Sequence, residues 1–255
     1  MSKVLAIHAL VQFGNTAANA EWLCRQLRSC AHLSPDLVVT PELVLTGHPM
    51  EATSLPWDAA ETEAAIDLVA RTADELGLAV LLGTLYARAP GIPPTNALIL
   101  LHQGKRTLIC EKHRQQHLPD GHGWVDYYAY GHTREGFTAG ETWCAPLICA
   151  ESLDPGIVAT VKRLQPSLVV HPSAWGSDDG IPYAHTAARE SLFQDELVLV
   201  INQTGPYLGE WLHAESFLYQ RGQVLALAKG SAPQWLELEL FEGSVIQCRV
   251  LPAAA

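Results

Sequence analysis

The chain has 255 residues, 48% of them hydrophobic, with a formal net charge of -11 and a pI near 5.4. That length holds one large domain or two small ones, and the apolar fraction suffices for a sizeable core. The acidic balance lacks the basic stripe of a nucleic-acid binder, and no stretch approaches the roughly 20 apolar residues of a membrane span.

Met1 to His8 lacks the apolar region of a signal peptide. The six cysteines include no Cys-x-x-Cys pair, so free thiols in a reducing cytoplasm are expected. No linker, charge block or fixed-period repeat marks a boundary, which predicts a single domain over 1–255.

In chain order, Lys3 to Val11 reads as a strand. Asn15 or Thr16 can cap a helix running to about Leu33. Asp36 to Thr40 is a short buried strand ending at Pro41-Glu42, and a loop rich in proline and glycine follows. Ile66, Val69, Ala70 and Ala73 recur at helical spacing within a helix from Glu61 to Leu76. Leu78 to Tyr86 is a strand, and Asn96 to His102 with Arg106 to Glu111 predicts a hairpin. Lys112 to Glu141 is a long loop rich in Gly, His and Tyr.

Cys144 to Cys149 reads as the next buried strand, followed by a helix from Pro155 to about Gln165. Ser167 to His171 is a strand, Tyr183 to Asp195 a helix, and Leu197 to Asn202 a strand. The remainder reads as antiparallel: Ala214 to Gln220, Gln223 to Ala228, Trp235 to Phe241 and Val245 to Val250. Strands alternating with helices predict a layered α/β fold, with a mixed sheet or two sheets and helices outside.

Three strand ends carry reactive residues: Glu42, Lys112 and Cys149. If those strands run side by side in one direction, their ends converge on one crevice. A thiol at neutral pH needs a base, and a shielded carboxylate can take its proton. A lysine ammonium can hold the thiolate and then the oxyanion of a tetrahedral intermediate, with the Ala150 N–H as a second donor. From pattern alone, the Glu42 and Lys112 charges read first as marks of where their strands meet solvent.

The segments Thr40-Pro41-Glu42-Leu43, Glu111-Lys112-His113 with His117-Leu118-Pro119, and Leu147-Ile148-Cys149 resemble the three catalytic motifs of the nitrilase, or carbon–nitrogen hydrolase, superfamily. His171-Pro172-Ser173-Ala174-Trp175, Ala188-Arg189-Glu190, Asn202-Gln203, Phe137 to Gly140, Ser216 and Gly222 extend the likeness from about Lys3 to Lys229. The resemblance implies a four-layer α-β-β-α sandwich with two mixed sheets and a tendency to form a homodimer or higher oligomer. It also implies Glu42 as general base, Lys112 as oxyanion stabiliser and Cys149 as nucleophile, with no cofactor. Pro41 to Pro49 looks most like the glutaminase domain of NAD synthetase. The chain ends where that enzyme's ATP-using domain would begin and has no phosphate-binding glycine loop, which favours a standalone amidase.

Three departures stand out: Ala150-Glu151 after the cysteine, Ala188-Arg189-Glu190-Ser191 without a Glu-Asn pair, and the loop after Lys112. The superfamily commonly places a second glutamate in that loop; Asp126 and Glu135 are the candidates, or neither. His48 stands where the similar domain has a pocket aromatic. Ser173 and Trp175 are candidates for the pocket wall, with a core role the alternative for the tryptophan. His113, His117, His122 and His132 lack metal-ligand spacing, so no metal is expected. No Gly-x-Ser-x-Gly elbow supports serine chemistry.

The expected function is therefore a cysteine amidohydrolase that cleaves a linear non-peptide amide or carbamoyl C–N bond of a small molecule. It would release ammonia through a thioester. The alternatives are a glutaminase subunit feeding ammonia to a partner synthetase, and a non-catalytic binding protein that has kept the fold. No nucleic acid and no membrane partner is expected.

Overall fold

Side-chain alternation in the first strand, β1 (Ser2–Leu10), separates the layers of the molecule. Val4 and Ala6 face one apolar cluster, while Leu5, Ile7 and Ala9 face another. This period of two places every second residue on the same face. The computed structural model describes residues 1–47, 57–89, 92, 94–113, 131–175, 177–178, 181–182, 196–207, 210–212, 215–221 and 223–254.

In the first half, α1 (Thr16–Cys30) is followed by β2 (Leu37–Val39), α2 (Ala59–Leu76), β3 (Val80–Tyr86), β4 (Thr95–His102) and β5 (Lys105–Glu111). The second half opens with β6 (Phe137–Ala139), β7 (Thr142–Pro146), α3 (Pro155–Arg163) and β8 (Leu168–Ser173). A small pair, β9 (Ser177–Asp178) and β10 (Ile181–Pro182), precedes β11 (Val198–Tyr207), β12 (Glu210–Leu212), β13 (Ser216–Gln220) and β14 (Gln223–Ala228). The chain returns to the first half through β15 (Gln234–Phe241) and β16 (Ser244–Pro252).

The architecture has four layers, α-β-β-α, as the resemblance implied. α1 and α2 cover one face of the first half, burying Leu23, Leu27, Ile66 and Val69 against Leu5, Val38, Val80 and Ile99. The opposite face contributes Val4, Val39, Leu81 and Leu98 to the core shared with Phe137, Ala145, Val169, Leu199 and Phe217 of the second half. Val158 and Val161 of α3 join that same cluster. The expected helix from Tyr183 to Asp195 lies outside the described residues.

One refinement concerns the sheets. The two halves are joined where β1 pairs with β11, at Ala9 with Gln203 and Leu10 with Thr204. Hydrogen bonding therefore runs through fourteen strands in the order β5-β4-β3-β2-β1-β11-β8-β7-β6, with β12 to β16 branching from it. Gly205 permits the junction: a Cβ there would sit 2.3 Å from the Val11 carbonyl oxygen.

Local chemistry explains the helix ends. The Asn15 side chain caps α1 on the Ala18 N–H, and the expected continuation to Leu33 is a 3₁₀ turn over Ala31–Leu33. Asp58 caps α2 on the Glu61 N–H, so the helix begins at Ala59, two residues before its expected start. The strand expected to run from Cys144 to Cys149 stops at Pro146. Cys149 instead opens a 3₁₀ turn, Cys149–Leu153, with a left-handed φ of 47°.

Candidate active site

Glu42 follows β2 and is fully buried. The turn that carries it is fixed from β3. The Thr40 hydroxyl oxygen accepts the Gly83 N–H at 2.9 Å, and the Val44 N–H returns to the Gly83 carbonyl at 2.9 Å. A Cβ on Gly83 would lie 2.1 Å from the Pro41 carbonyl oxygen, so only glycine lets the two segments approach this closely. Leu43, next to Glu42, has a φ of 50°.

Lys112 follows β5 and is 6% exposed. Its Nζ lies 2.7 Å from Glu42 Oε1, and the Asn96 Nδ2 donates to the same oxygen at 2.7 Å. Burial pushes the ammonium down, but the Glu42 carboxylate, with Cys149, outweighs it and holds Lys112 above the ordinary lysine range. The lysine is therefore an ammonium at neutral pH.

Cys149 is 5% exposed and faces both groups. Burial raises its thiol well above the usual range, and the nearby Glu42 carboxylate adds to this. Lys112 and the Ala174 N–H act in the opposite direction. The resting sulfur is a protonated thiol beside a carboxylate, with an ammonium close by. This is the arrangement a base-assisted nucleophile requires.

A non-glycine residue at positive φ is costly, and the surroundings hold Cys149 there. Its carbonyl accepts from His171 Nε2 at 2.8 Å and from the Ser152 hydroxyl at 3.2 Å. Burial pushes His171 down to about 4, so it is neutral and donates from Nε2. Glu151 Oε2 accepts the Ile148 N–H at 2.9 Å, immediately before the cysteine.

Glu151 also accounts for a motif departure. Its Oε1 accepts from Arg134 Nη2 at 2.6 Å and from the His113 N–H at 2.8 Å. Arg134 in turn donates to the Pro146 carbonyl at 2.7 Å. This buried pair ties the Cys149 turn, the end of β7 and the residue after Lys112 into one unit. On the other side of Lys112, Glu111 is bound by Arg88 through Nε and Nη2, by the Thr95 hydroxyl and by the His132 and Thr133 amides.

The other candidates are placed differently. Ser173 is fully buried and donates to the His171 carbonyl at 3.2 Å, so it is held within the sheet. Trp175 is 8% exposed, packs in the core cluster that includes Cys149, and donates its backbone N–H to Asn202 Oδ1 at 3.0 Å. Ala150 is half-buried in the turn that Cys149 opens. Glu135 is exposed, and no described hydrogen bond or ion pair joins it to Glu42, Lys112 or Cys149. His48 and Asp126 lie outside the described residues.

Asn96, Gly83, Arg134 and His171 were not singled out as site residues from the sequence. Two of them carried a signal: a glycine within an otherwise continuous strand, Gly83, marks a close backbone approach, and His171 opens the His171-to-Trp175 segment of the resemblance. Among the described residues, no group of three or more His, Cys, Asp or Glu side chains is disposed to hold a metal ion.

The layered fold and a buried carboxylate, ammonium and thiol define the class to which the comparisons point. The carbon–nitrogen hydrolase family profile matches residues 8–230, and the chain belongs to that family. Among solved structures, an amidase from Nesterenkonia sp. AN1 is similar at 17% identity, with a TM-score of 0.76, over 95% of this chain and 94% of that one. A form of that amidase carrying acrylamide added to its active-site cysteine is similar at 17% identity and a TM-score of 0.76, over 94% of this chain and 93% of that one. The glutamine-dependent NAD+ synthetase of Acinetobacter baumannii is similar at 18% identity and a TM-score of 0.80. That match spans 100% of this chain and 48% of the synthetase. At these identities the likeness is one of fold. No curated protein matches the chain.

Proposed function

We propose that the chain is a single-domain cysteine amidohydrolase acting on a small, linear, non-peptide amide or carbamoyl C–N bond. The observation that carries this reading is the Glu42–Lys112 contact of 2.7 Å beside the Cys149 thiol, with all three groups at most 6% exposed.

In this reading the Cys149 sulfur attacks the amide carbon while Glu42 takes the thiol proton. The carbonyl oxygen becomes an oxyanion, held by the Lys112 ammonium with the Ala150 N–H as second donor. The tetrahedral species collapses, Glu42 delivers the proton to the nitrogen, and ammonia leaves. A thioester on Cys149 remains. Glu42 then takes a proton from water, and the hydroxide attacks the thioester. Collapse releases the carboxylic acid and regenerates the thiol. The likeness to the Nesterenkonia amidase, one form of which is a butyramide complex, supports this choice of substrate class. Glu135 is not given the part of a fourth catalytic residue, because it is exposed.

The reading is tested by ammonia release from acetamide, propionamide, butyramide, glutamine and N-carbamoyl amino acids. We expect release with at least one substrate, and a loss of at least about 1,000-fold in Cys149→Ala. Turnover that survives the substitution would falsify the nucleophile assignment. An acyl adduct on intact Cys149, weighed by mass spectrometry, identifies the substrate.

The synthetase likeness, which spans 100% of this chain, supports a second reading: a glutaminase that supplies ammonia to a partner synthetase. Glutamine hydrolysis that rises on adding the partner distinguishes it. A cytoplasmic homodimer or higher oligomer accompanies either reading as a proposal, tested by light scattering.

A further inference from the structure

Asn96 lies in β4 directly after Thr95 and is 1% exposed. A buried amide in a strand is a cost to folding unless its polar atoms are bonded. Its backbone pairs with Leu85 of β3, and its carbonyl accepts the Lys112 N–H at 2.8 Å. Its side chain donates from Nδ2 to Glu42 Oε1, the same oxygen that holds Lys112 Nζ. One residue therefore contacts the carboxylate through its side chain and the lysine through its main chain. The Asn96 Oδ1, by contrast, is buried with no hydrogen-bond partner among the described residues. Leucine would fill a similar volume without that orphaned acceptor, so packing does not explain an amide here.

We propose that Asn96 is a positioning residue. Its Nδ2 keeps the Glu42 carboxylate ionised and turned toward the Cys149 thiol, while its carbonyl sets the register of Lys112. This rests on the reading of Glu42, Lys112 and Cys149 as the reacting groups. The ionisable groups that face Glu42 are Lys112 and Cys149, with His171 and Glu151 behind them. A donor to a carboxylate favours its charged form, so losing the donor makes Glu42 easier to protonate.

The test is the rate of Cys149 alkylation by iodoacetamide across pH, for the native protein, Asn96→Leu and Asn96→Asp. Mass spectrometry locates the labelled cysteine, and urea midpoints are measured alongside. We expect Asn96→Leu to slow labelling at pH 7 by about tenfold and to move the acid limb up by about one pH unit. Asn96→Asp places a second carboxylate beside Glu42 and should move the limb further. The urea midpoint of Asn96→Leu should stay near the native value, because the orphaned oxygen is lost together with the donor. An unmoved acid limb in either folded variant overturns the assignment. So does a loss of rate that merely follows the midpoint. If Asn96→Leu does not fold, the isosteric Asn96→Asp carries the test alone. A native protein whose Cys149 labels no faster than its other cysteines overturns the catalytic reading itself. Preferential labelling with an unmoved limb overturns only the role of Asn96.

Discussion

Glu42 and Glu151 are both buried carboxylates, 0% and 1% exposed, and each is paired with a cation on a segment flanking Cys149. Glu151 accepts from two backbone amides and a guanidinium, none of which gives up a proton at any pH the fold survives, and the His113 imidazole stands 3.9 Å away with its Nδ1 on the Glu111 carbonyl. Glu42 binds an amide and an ammonium and faces a thiol, and that thiol is the neighbour able to exchange a proton with it. Burial and ion pairing are common to both. On the proposed reading, what separates the reacting carboxylate from the structural one is whether a neighbour can trade a proton with it. We therefore expect the largest effect on turnover from Glu42→Gln, a loss of roughly 10²–10⁴ in rate per folded molecule. A loss below tenfold would remove Glu42 from the proton path.

Glu151→Gln should do the reverse. It leaves the Arg134 guanidinium, whose side chain is 3% exposed, without its countercharge. Breaking a buried pair from one side costs about 3 kcal/mol or more in stability. Urea unfolding should record that loss, while ammonia release per folded molecule stays within about tenfold of native, because no reacting atom contacts Glu151. Glu42→Gln also breaks a buried pair, so stability alone does not separate the two substitutions. Specific activity of the folded fraction does, and equal losses in both variants would erase the distinction.

The division between these carboxylates was only half readable in the sequence. Glu42, Lys112 and Cys149 each follow an apolar run, and strand ends sharing a direction converge on one edge, so pattern and motif order found them together. Glu151 looked like a departure from the motif because its partners are distant in sequence: Arg134 stands 17 residues before it and His113 38 residues before it, towards opposite ends of the long loop. Asn96 was invisible for a related reason. It sits inside a predicted strand, where period-two patterning reports which face a residue takes but not which polar group waits there. The turn at Cys149 was misread as strand because Leu147 and Ile148 continue the apolar run, with Leu147 still bonded to the Val170 carbonyl at 2.9 Å. The left-handed turn that follows depends on bonds from His171 and Ser152 that no local pattern announces. His48, Asp126 and the helix expected from Tyr183 lie outside the described residues, so their roles stand as the sequence left them.

Glu111 extends the comparison to a third carboxylate and should produce the smallest effect. Burial pushes its carboxyl up, but Arg88, the His132 and Thr133 amides and the Thr95 hydroxyl outweigh it and hold the group at about 2, against an ordinary value of 4.5. A carboxyl depressed in the folded state stabilises the fold fully above its unfolded value and loses that contribution as pH falls toward the folded one. The window here runs from about pH 4.5 down to about 2. Arg88 is half exposed, so solvent screens much of its share and the amide donors carry the remainder. Arg88→Gln should therefore lower the urea midpoint slightly at pH 7, and the gap from native should close through the same acid window. Other carboxylates also protonate there, so the gap between the two proteins, rather than either midpoint, is the quantity to follow. A gap that stays constant from pH 7 to 3 would mean that Arg88 acts by packing. Turnover should be unchanged at pH 7, because the Glu111 carboxylate braces the Lys112 segment from outside and bonds to none of the three groups proposed to react.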